Sequence, residues 1–326
     1  MYDDRGKAFA IAPAERRLPR GDAGMHEGDI RMTTTMPLTG PTDGTATPMP
    51  RKLFGYEVIE FLGEGAGSII YAVAHPDTKQ IYAMKHVVVR KDKDVRFLEQ
   101  VQVEFEVGKG FAHPNLRRAI ELKDNSTLLR KATEVALVME LFDGVPVAAQ
   151  RPTDPLRTVA YFIQVAQGLA GMHAAGYVHC DLKPNNILVG AEGRVKIIDY
   201  GQACKVGCVK ERIQGTPDFI APEQVKCAPM TVKTDVFNFG ATMYWTLTGK
   251  NIPTLYTVGK GENSFLVDDR IPSPQDLNKD VADPLSNLVM ECIRTSPAKR
   301  PEDMKELTRR LEVVEHALRR RRSAVA

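Results

Sequence analysis

The sequence predicts an α+β chain of two lobes, a small β-rich part followed by a larger, mostly helical part. Three observations carry this expectation. Between Leu53 and Phe142, short runs rich in β-branched and aromatic residues are set apart by Gly or Pro-Asp turn signals. Beyond Asp154, apolar residues recur at helical spacing. With 326 residues, the chain is long enough for two lobes that each bury a core. Strands followed by helices, rather than a strict alternation, imply layers segregated into two parts with a cleft between them.

The elements follow in order. Residues 1–50 hold six prolines, six glycines and seven threonines with little hydrophobic periodicity. Such a stretch buries too little surface to offset its ordering entropy, so residues 1–52 are expected to be a disordered leader. Its run Thr33-Thr34-Thr35, with Thr39, Thr42, Thr45 and Thr47, reads as linker composition or as phosphoacceptors. The folded domain is expected over residues 53–318, with the small lobe to about 142 and the large lobe from about 149. Tyr56–Leu62, Ile69–Ala74, Ile81–Val89 and Val135–Met139 read as strands. From Asp94 to Phe111 the period becomes helical, with Val95, Leu98, Val101, Phe105 and Gly108 three or four apart. Further helices are expected at 155–175, 234–248, 284–294 and 301–318, with a basic tail at 319–326.

The formal charge is only +3, and residues 309–326, with six arginines against Glu312 and Glu315, account for all of it. The rest is near neutral, which argues against a broad nucleic-acid-binding surface. The basic end is expected to be solvated or to dock an acidic partner. No run of 18 apolar residues exists, so no transmembrane segment is expected. The start lacks the apolar core of a signal peptide, and five scattered cysteines do not form a disulfide framework. A cytoplasmic location is the expectation.

Chemistry concentrates at four places. Gly63-Glu64-Gly65-Ala66-Gly67 lies between two strands, where glycines let backbone N–H groups approach phosphates; alone it is as consistent with a plain turn. Lys85 sits in an apolar strand, with Ile81, Ala83 and Val87 on its face. A lysine there either snorkels or requires an anion. His179-Cys180-Asp181 ends a helix and a short apolar strand, putting a carboxylate on a loop at the cleft, where it can accept a proton from a hydroxyl. Lys183 could neutralise a phosphoryl group, and Asn186 and Asp199 offer the hard oxygens that Mg²⁺ prefers.

The ordered set resembles the eukaryotic-type serine/threonine protein kinase family over about residues 53–315. The resemblance implies a two-lobed protein-kinase fold with ATP in the cleft, Mg²⁺ as cofactor and proteins as substrates. Gly63 and Gly65 match the phosphate-covering loop, Ile70 and Ala83 the walls of the nucleotide site, and Lys85 the strand lysine. Glu104, or Glu106 if the helix register is shifted, matches the glutamate that pairs with that lysine. Glu140 and Phe142 match the hinge whose backbone bonds adenine. Asp181 matches the catalytic base, Lys183 the phosphate-neutralising lysine, and Asn186 and Asp199 the metal ligands. Ala221-Pro222-Glu223, Asp235 and Arg300 match structural anchors, with Arg300 expected to pair with Glu223. The alternative is an ATP-binding pseudokinase scaffold, although such proteins typically lack one of Lys85, Asp181 and Asp199.

The departures are as informative. Cys180 replaces the arginine that grips an activation-segment phosphate, and Arg212 stands where the family often has its phosphoacceptor. The expectation is catalysis without activation-loop phosphorylation. Tyr200 replaces a phenylalanine and Ser68 a glycine. Gly108 and Ala119 replace bulky members of an apolar spine, leaving a gap that neighbours or a partner must fill. Cys204 and Cys208, with Cys180, form a conceivable redox or metal site, although isolated cysteines are usually inert.

Overall fold

The computed structural model describes residues 49–65, 67–127, 131–257 and 271–325. The expected disorder of the leader and its threonine run fall outside the described residues, apart from residues 49–52.

Five strands and one short edge strand form the first lobe: β1 (Lys52–Leu53), β2 (Tyr56–Gly65), β3 (Ser68–Ala74), β4 (Ile81–Val88), β5 (Ala119–Asp124) and β6 (Glu134–Glu140). They make one sheet in the order β1-β2-β3-β4-β6-β5, antiparallel throughout. Alternation along β4 splits its side chains between two cores. Ala83 and Val87 pack with Val101 of helix α1 (Val95–Gly108), whereas Met84 joins Tyr56, Tyr71 and Val73 on the other face. The helix begins and ends inside the Asp94–Phe111 stretch read from the sequence.

The second lobe is helical around a large core. Helix α2 (Pro155–Ala174) starts as its sequence demands: Asp154 accepts a hydrogen bond from Leu156 N at 2.9 Å, and Pro155 occupies the first turn, where no N–H is needed. A short helix, α3 (Pro222–Val225), precedes α4 (Val232–Thr248), which is capped by Thr231 and stopped by Gly249 at φ +71°. Then come α5 (Pro274–Leu277), α6 (Asp283–Cys292) and α7 (Met304–Val325). Helix α7 runs beyond the expected end at 318, straight through the arginine run. A Glu315–Arg319 pair at 2.7 Å, four residues apart, suits that continuation. Among the described residues, no helix is long and apolar enough to cross a membrane.

Small strands line the junction between the lobes. β7 (Gly144–Pro146), β9 (Ile187–Gly190) and β10 (Val195–Ile197) form one sheet, while β8 (Tyr177–Val178) pairs with β11 (Cys204–Lys205). The buried Arg300 guanidinium meets both Glu223 oxygens, at 2.7 and 3.0 Å, as expected.

Candidate active site

The upper half of the site is built on β4. Lys85 stands opposite Ile70 on one side and Leu137 on the other, so its strand is held from both flanks. Its Nζ lies 2.6 Å from Glu104 Oε2 and 3.4 Å from Asp199 Oδ1. Burial alone would lower the lysine's pKa, but the charges of Asp199 and Glu104 outweigh it and hold the ammonium above its usual range. Glu104, which is 1% exposed, also receives Arg117 Nη2 at 3.3 Å on its other oxygen. A buried carboxylate thus sits between two cations. Glu106 instead faces outward, paired with Lys109 at 2.6 Å.

Arg117 was not among the residues that the sequence singled out. It belongs to the link between α1 and β5, and its amide donates to Ile197 O at 3.0 Å. The pair Arg117-Arg118 offered a signal of sorts, but nothing in it says which of the two points inward.

The lower half is a loop with an enforced backbone. Cys180 adopts φ +62°, an uncommon conformation for a residue with a side chain. Asp235, fully buried in α4, accepts from His179 N at 2.8 Å and from Cys180 N at 2.9 Å. Gln224 donates to Cys180 O at 2.7 Å. His173 lies 2.7 Å from Asp235 as well. Burial opposes the Asp235 charge, but His173, His179 and the amides overcome it and hold its carboxyl below the usual range.

This frame presents Asp181. Its Oδ1 accepts the Thr216 hydroxyl at 2.7 Å and its Oδ2 the Lys183 ammonium at 2.9 Å, while Lys183 also reaches Thr216 Oγ1 at 2.8 Å. Asn186 donates through Nδ2 to Asp181 O at 2.9 Å, which leaves its amide oxygen as the group a cation would take. In the β9–β10 ladder Ile187 faces Ile197, and Ile198 N bonds Asn186 O at 3.0 Å. That register places Asp199 one residue beyond the bond between Ile198 and Asn186. Burial would raise the Asp199 pKa, but Lys85 and Lys183 more than offset it and keep the carboxyl below its ordinary range. It is therefore ionised at neutral pH. An ionised carboxylate and an amide oxygen suit Mg²⁺, which retains waters and shares its shell with phosphates instead of needing an all-protein cage.

The roof comes from the β2–β3 hairpin, where Gly63 faces Ile70 and Gly65 faces Ser68. A Cβ on Gly65 would lie 3.3 Å from Ser68 Oγ, so the serine takes up room beside that glycine. Ala83 is buried in β4 opposite Met139. At the end of β6, the Glu140 amide is bonded to Arg118 O at 2.9 Å, so of its backbone groups the amide is already engaged. The Glu140 side chain turns to Lys196, 2.7 Å away. Phe142 packs against Gly144 and Gly190, where a Cβ would come within 2.7 and 2.9 Å of its ring. A cavity of about 460 Å³ opens beside this hinge, between Ile120, Leu141, His113 and Lys196; none of Gly63, Lys85, Asp181 and Asp199 lines it.

The expected spine gap is filled from within. A Cβ on Gly108 would meet the Ala119 Cβ at 3.0 Å and Tyr200 Cδ2 at 3.3 Å. The Tyr200 ring, 2% exposed, stacks edge-on against Phe111 and His179, and its hydroxyl donates to Ile197 O at 3.1 Å. The small residues on α1 and β5 and the larger ring after Asp199 are complementary.

Residues 56–311 match the family described as protein kinase domain. Similar chains include the serine/threonine-protein kinase TIO of Arabidopsis thaliana, 32% identical over 62% of this chain and 15% of that protein. The serine/threonine-protein kinase PkaA of Streptomyces coelicolor is 31% identical over 77% of this chain and 46% of its own length. The mouse serine/threonine-protein kinase H1 is 31% identical over 72% of this chain and 58% of its own. The matched region spans little more than half of these relatives at most. The chain belongs to the protein kinase family, and its lobes are those of the two-lobed kinase fold.

Proposed function

We propose that this protein transfers the γ-phosphoryl group of ATP to serine or threonine hydroxyls of protein substrates. The observation that carries the reading is the Asp181–Lys183–Thr216 triangle: a carboxylate that already accepts a hydroxyl at 2.7 Å, with an ammonium bridging the two. In the reaction Asp181 orients the acceptor hydroxyl and takes its proton, and Lys183 offsets charge on the phosphoryl oxygens. Lys85, fixed by Glu104, positions the α and β phosphates beneath the Gly63–Gly65 hairpin. Ile70 and Ala83 wall the adenine, and the backbone of Glu140 and Phe142 bonds it. Asn186 and Asp199 would hold Mg²⁺, which supplies charge neutralisation at the phosphates. Catalysis then rests on positioning and fixed charge, as phosphoryl transfer requires.

The activity is proposed to need no activation-loop phosphate. Between Asp199 and Glu223 the hydroxyls are Tyr200, buried under α1, and Thr216, engaged with Asp181 and Lys183. Cys180, where a phosphate-gripping arginine would stand, is buried against Val178 and Met230. Five free cysteines suit a reducing, cytoplasmic setting. The exposed arginines at the end of α7 are the surface for an acidic partner. The test is transfer of radiolabel from ATP to a basic generic substrate. Wild type should be active before and after phosphatase treatment, and Asp181→Asn should be inactive. Asp181→Asn activity at the wild-type level sinks the assignment, and loss of rate on dephosphorylation sinks the phosphate independence.

A further inference from the structure

Two thiols touch where the loop carrying Asp181 meets the segment that follows Asp199. β11 pairs with β8 so that Cys204 faces Val178. This brings its thiol to that of Cys180, two residues past Val178, with the sulfurs 3.8 Å apart. Cys180 is wholly buried, in an apolar nest with Val178 and Met230, and Cys204 packs against that nest. Cys208, four residues on, turns its thiol to Val209 O at 3.7 Å, while its carbonyl accepts from Met230 N at 2.8 Å. Among the described residues no group of three His, Cys, Asp or Glu side chains is arranged to hold a metal. The cluster is a thiol site.

We propose that Cys204 and Cys180 are an oxidisable pair that takes a peroxide as oxidant and closes to a disulfide tying the activation segment to the catalytic loop. The sulfurs need to approach from 3.8 Å to a bond of about 2.05 Å, and the β8–β11 ladder already holds the two strands in register. The two thiols have different roles. The hydrogen bond from Cys180 lowers the Cys204 pKa to about 7, against the effect of burial and with the help of Lys210. That same bond, with burial and the Asp235 charge, keeps Cys180 protonated. Cys204, only partly buried and so within reach of a peroxide, is therefore the attacking thiolate, and the wholly buried Cys180 beside it is the resolving thiol.

The electrons balance in two steps. The Cys204 thiolate attacks one oxygen of hydrogen peroxide; the O–O bond breaks, the departing hydroxide takes a proton to become water, and Cys204 becomes a sulfenic acid. The Cys180 sulfur then attacks the Cys204 sulfur, the S–OH bond breaks, and the Cys180 proton leaves with hydroxide as a second water. Two thiols lose two electrons, and one peroxide gains them. The closed loop spans 24 residues and fastens β11 where it now lies. This chemistry does not depend on phosphotransfer, so it stands or falls separately.

The test uses the full chain, reduced and then exposed to stoichiometric hydrogen peroxide, alkylated and analysed by mass spectrometry. Before alkylation the intact mass of wild type and of Cys208→Ser should each fall by about 2 Da, and after alkylation each should lack two adducts and yield one cross-linked peptide joining Cys180 to Cys204, reversed by dithiothreitol. Cys204→Ser should show no such loss. Tryptic cleavage after Lys205, Lys210 and Arg212 should slow in the oxidised protein. The inference is overturned if Cys204 pairs with Cys208, if it accumulates as a stable oxyacid, or if it stays unmodified. No variant at the buried Cys180 is needed, so a folding defect cannot imitate either result.

Discussion

Replacing Arg117 with methionine isolates the contact that the sequence concealed. Methionine keeps most of the aliphatic volume and removes the cation that lies 3.3 Å from Glu104 Oε1. At that separation a charge pair in an effective dielectric of about 20 is worth roughly 5 kcal/mol before desolvation. Two effects reduce the loss. Burying the guanidinium already costs several kcal/mol in the native protein, and Lys85, 2.6 Å away, leaves Glu104 with one partner. The expected loss is therefore about 2 kcal/mol, below the 3–5 kcal/mol of an orphaned buried charge. In urea, the Arg117→Met midpoint should fall with an unchanged slope. With one cation gone Glu104 is less firmly placed, so the dissociation constant for ATP should rise several-fold. Arg118→Met, one residue on and exposed, serves as the control and should stay within about 0.5 kcal/mol of wild type. If Arg117→Met matches that control in both stability and ATP affinity, Glu104 does not depend on the second cation.

Other outcomes follow from the same geometry. Gly108→Leu, the bulky residue usual in the family, would drive into Ala119 and Tyr200, so overpacking of about 1–3 kcal/mol should exceed the helix-propensity gain of up to about 1 kcal/mol; a higher melting temperature would contradict this. Alkylation of Cys204 should speed up as pH climbs through about 7, because its pKa is lowered to that value and only the thiolate reacts. A midpoint of about 8.5 or higher, as for an ordinary thiol, would remove that assignment. The Asp235 carboxyl is held below its unfolded value, so its contribution to stability is complete above about pH 4 and is lost as pH falls through the folded value. Asp235→Asn should be less stable at pH 7 yet show a shallower decline below pH 4, measured by denaturant titration across that range.

Much of the site was legible because its members are local in sequence or fixed by strand period. Lys85 is one residue of an alternating strand, and Asp181, Lys183 and Asn186 share one loop. The helical spacing in Asp94–Phe111 announced α1 but left two registers for its glutamate, and only the packing of Val101 and Val107 turns Glu104 rather than Glu106 inward. What escaped the sequence depends on meetings across the fold. Arg117 reaches Glu104 from the far side of α1, 13 residues away. Tyr200 fills the space left at Gly108 and Ala119, a fit between three substitutions that look unrelated along the chain. Cys180 and Cys204 meet only because β8 and β11 pair. The arginine run near the end reads as a tail by composition, yet its partner at Glu315 lies one helical turn back, and the helix continues through it.

The frame around residue 180 has an evolutionary consequence. Asp235 and Gln224 grip this position solely through its peptide groups. The grip that places Asp181 is therefore independent of the side chain, but that side chain fills a buried apolar nest with Val178 and Met230, so exchanges here answer first to packing. A second filter on such exchanges is handedness. At φ +62°, β-branched replacements clash with their own backbone, while unbranched ones fit. A saturation library at this codon should therefore sort by branching at Cβ as well as by size and charge: serine and alanine should survive, and valine, isoleucine and threonine should drop out together with the buried charge of lysine.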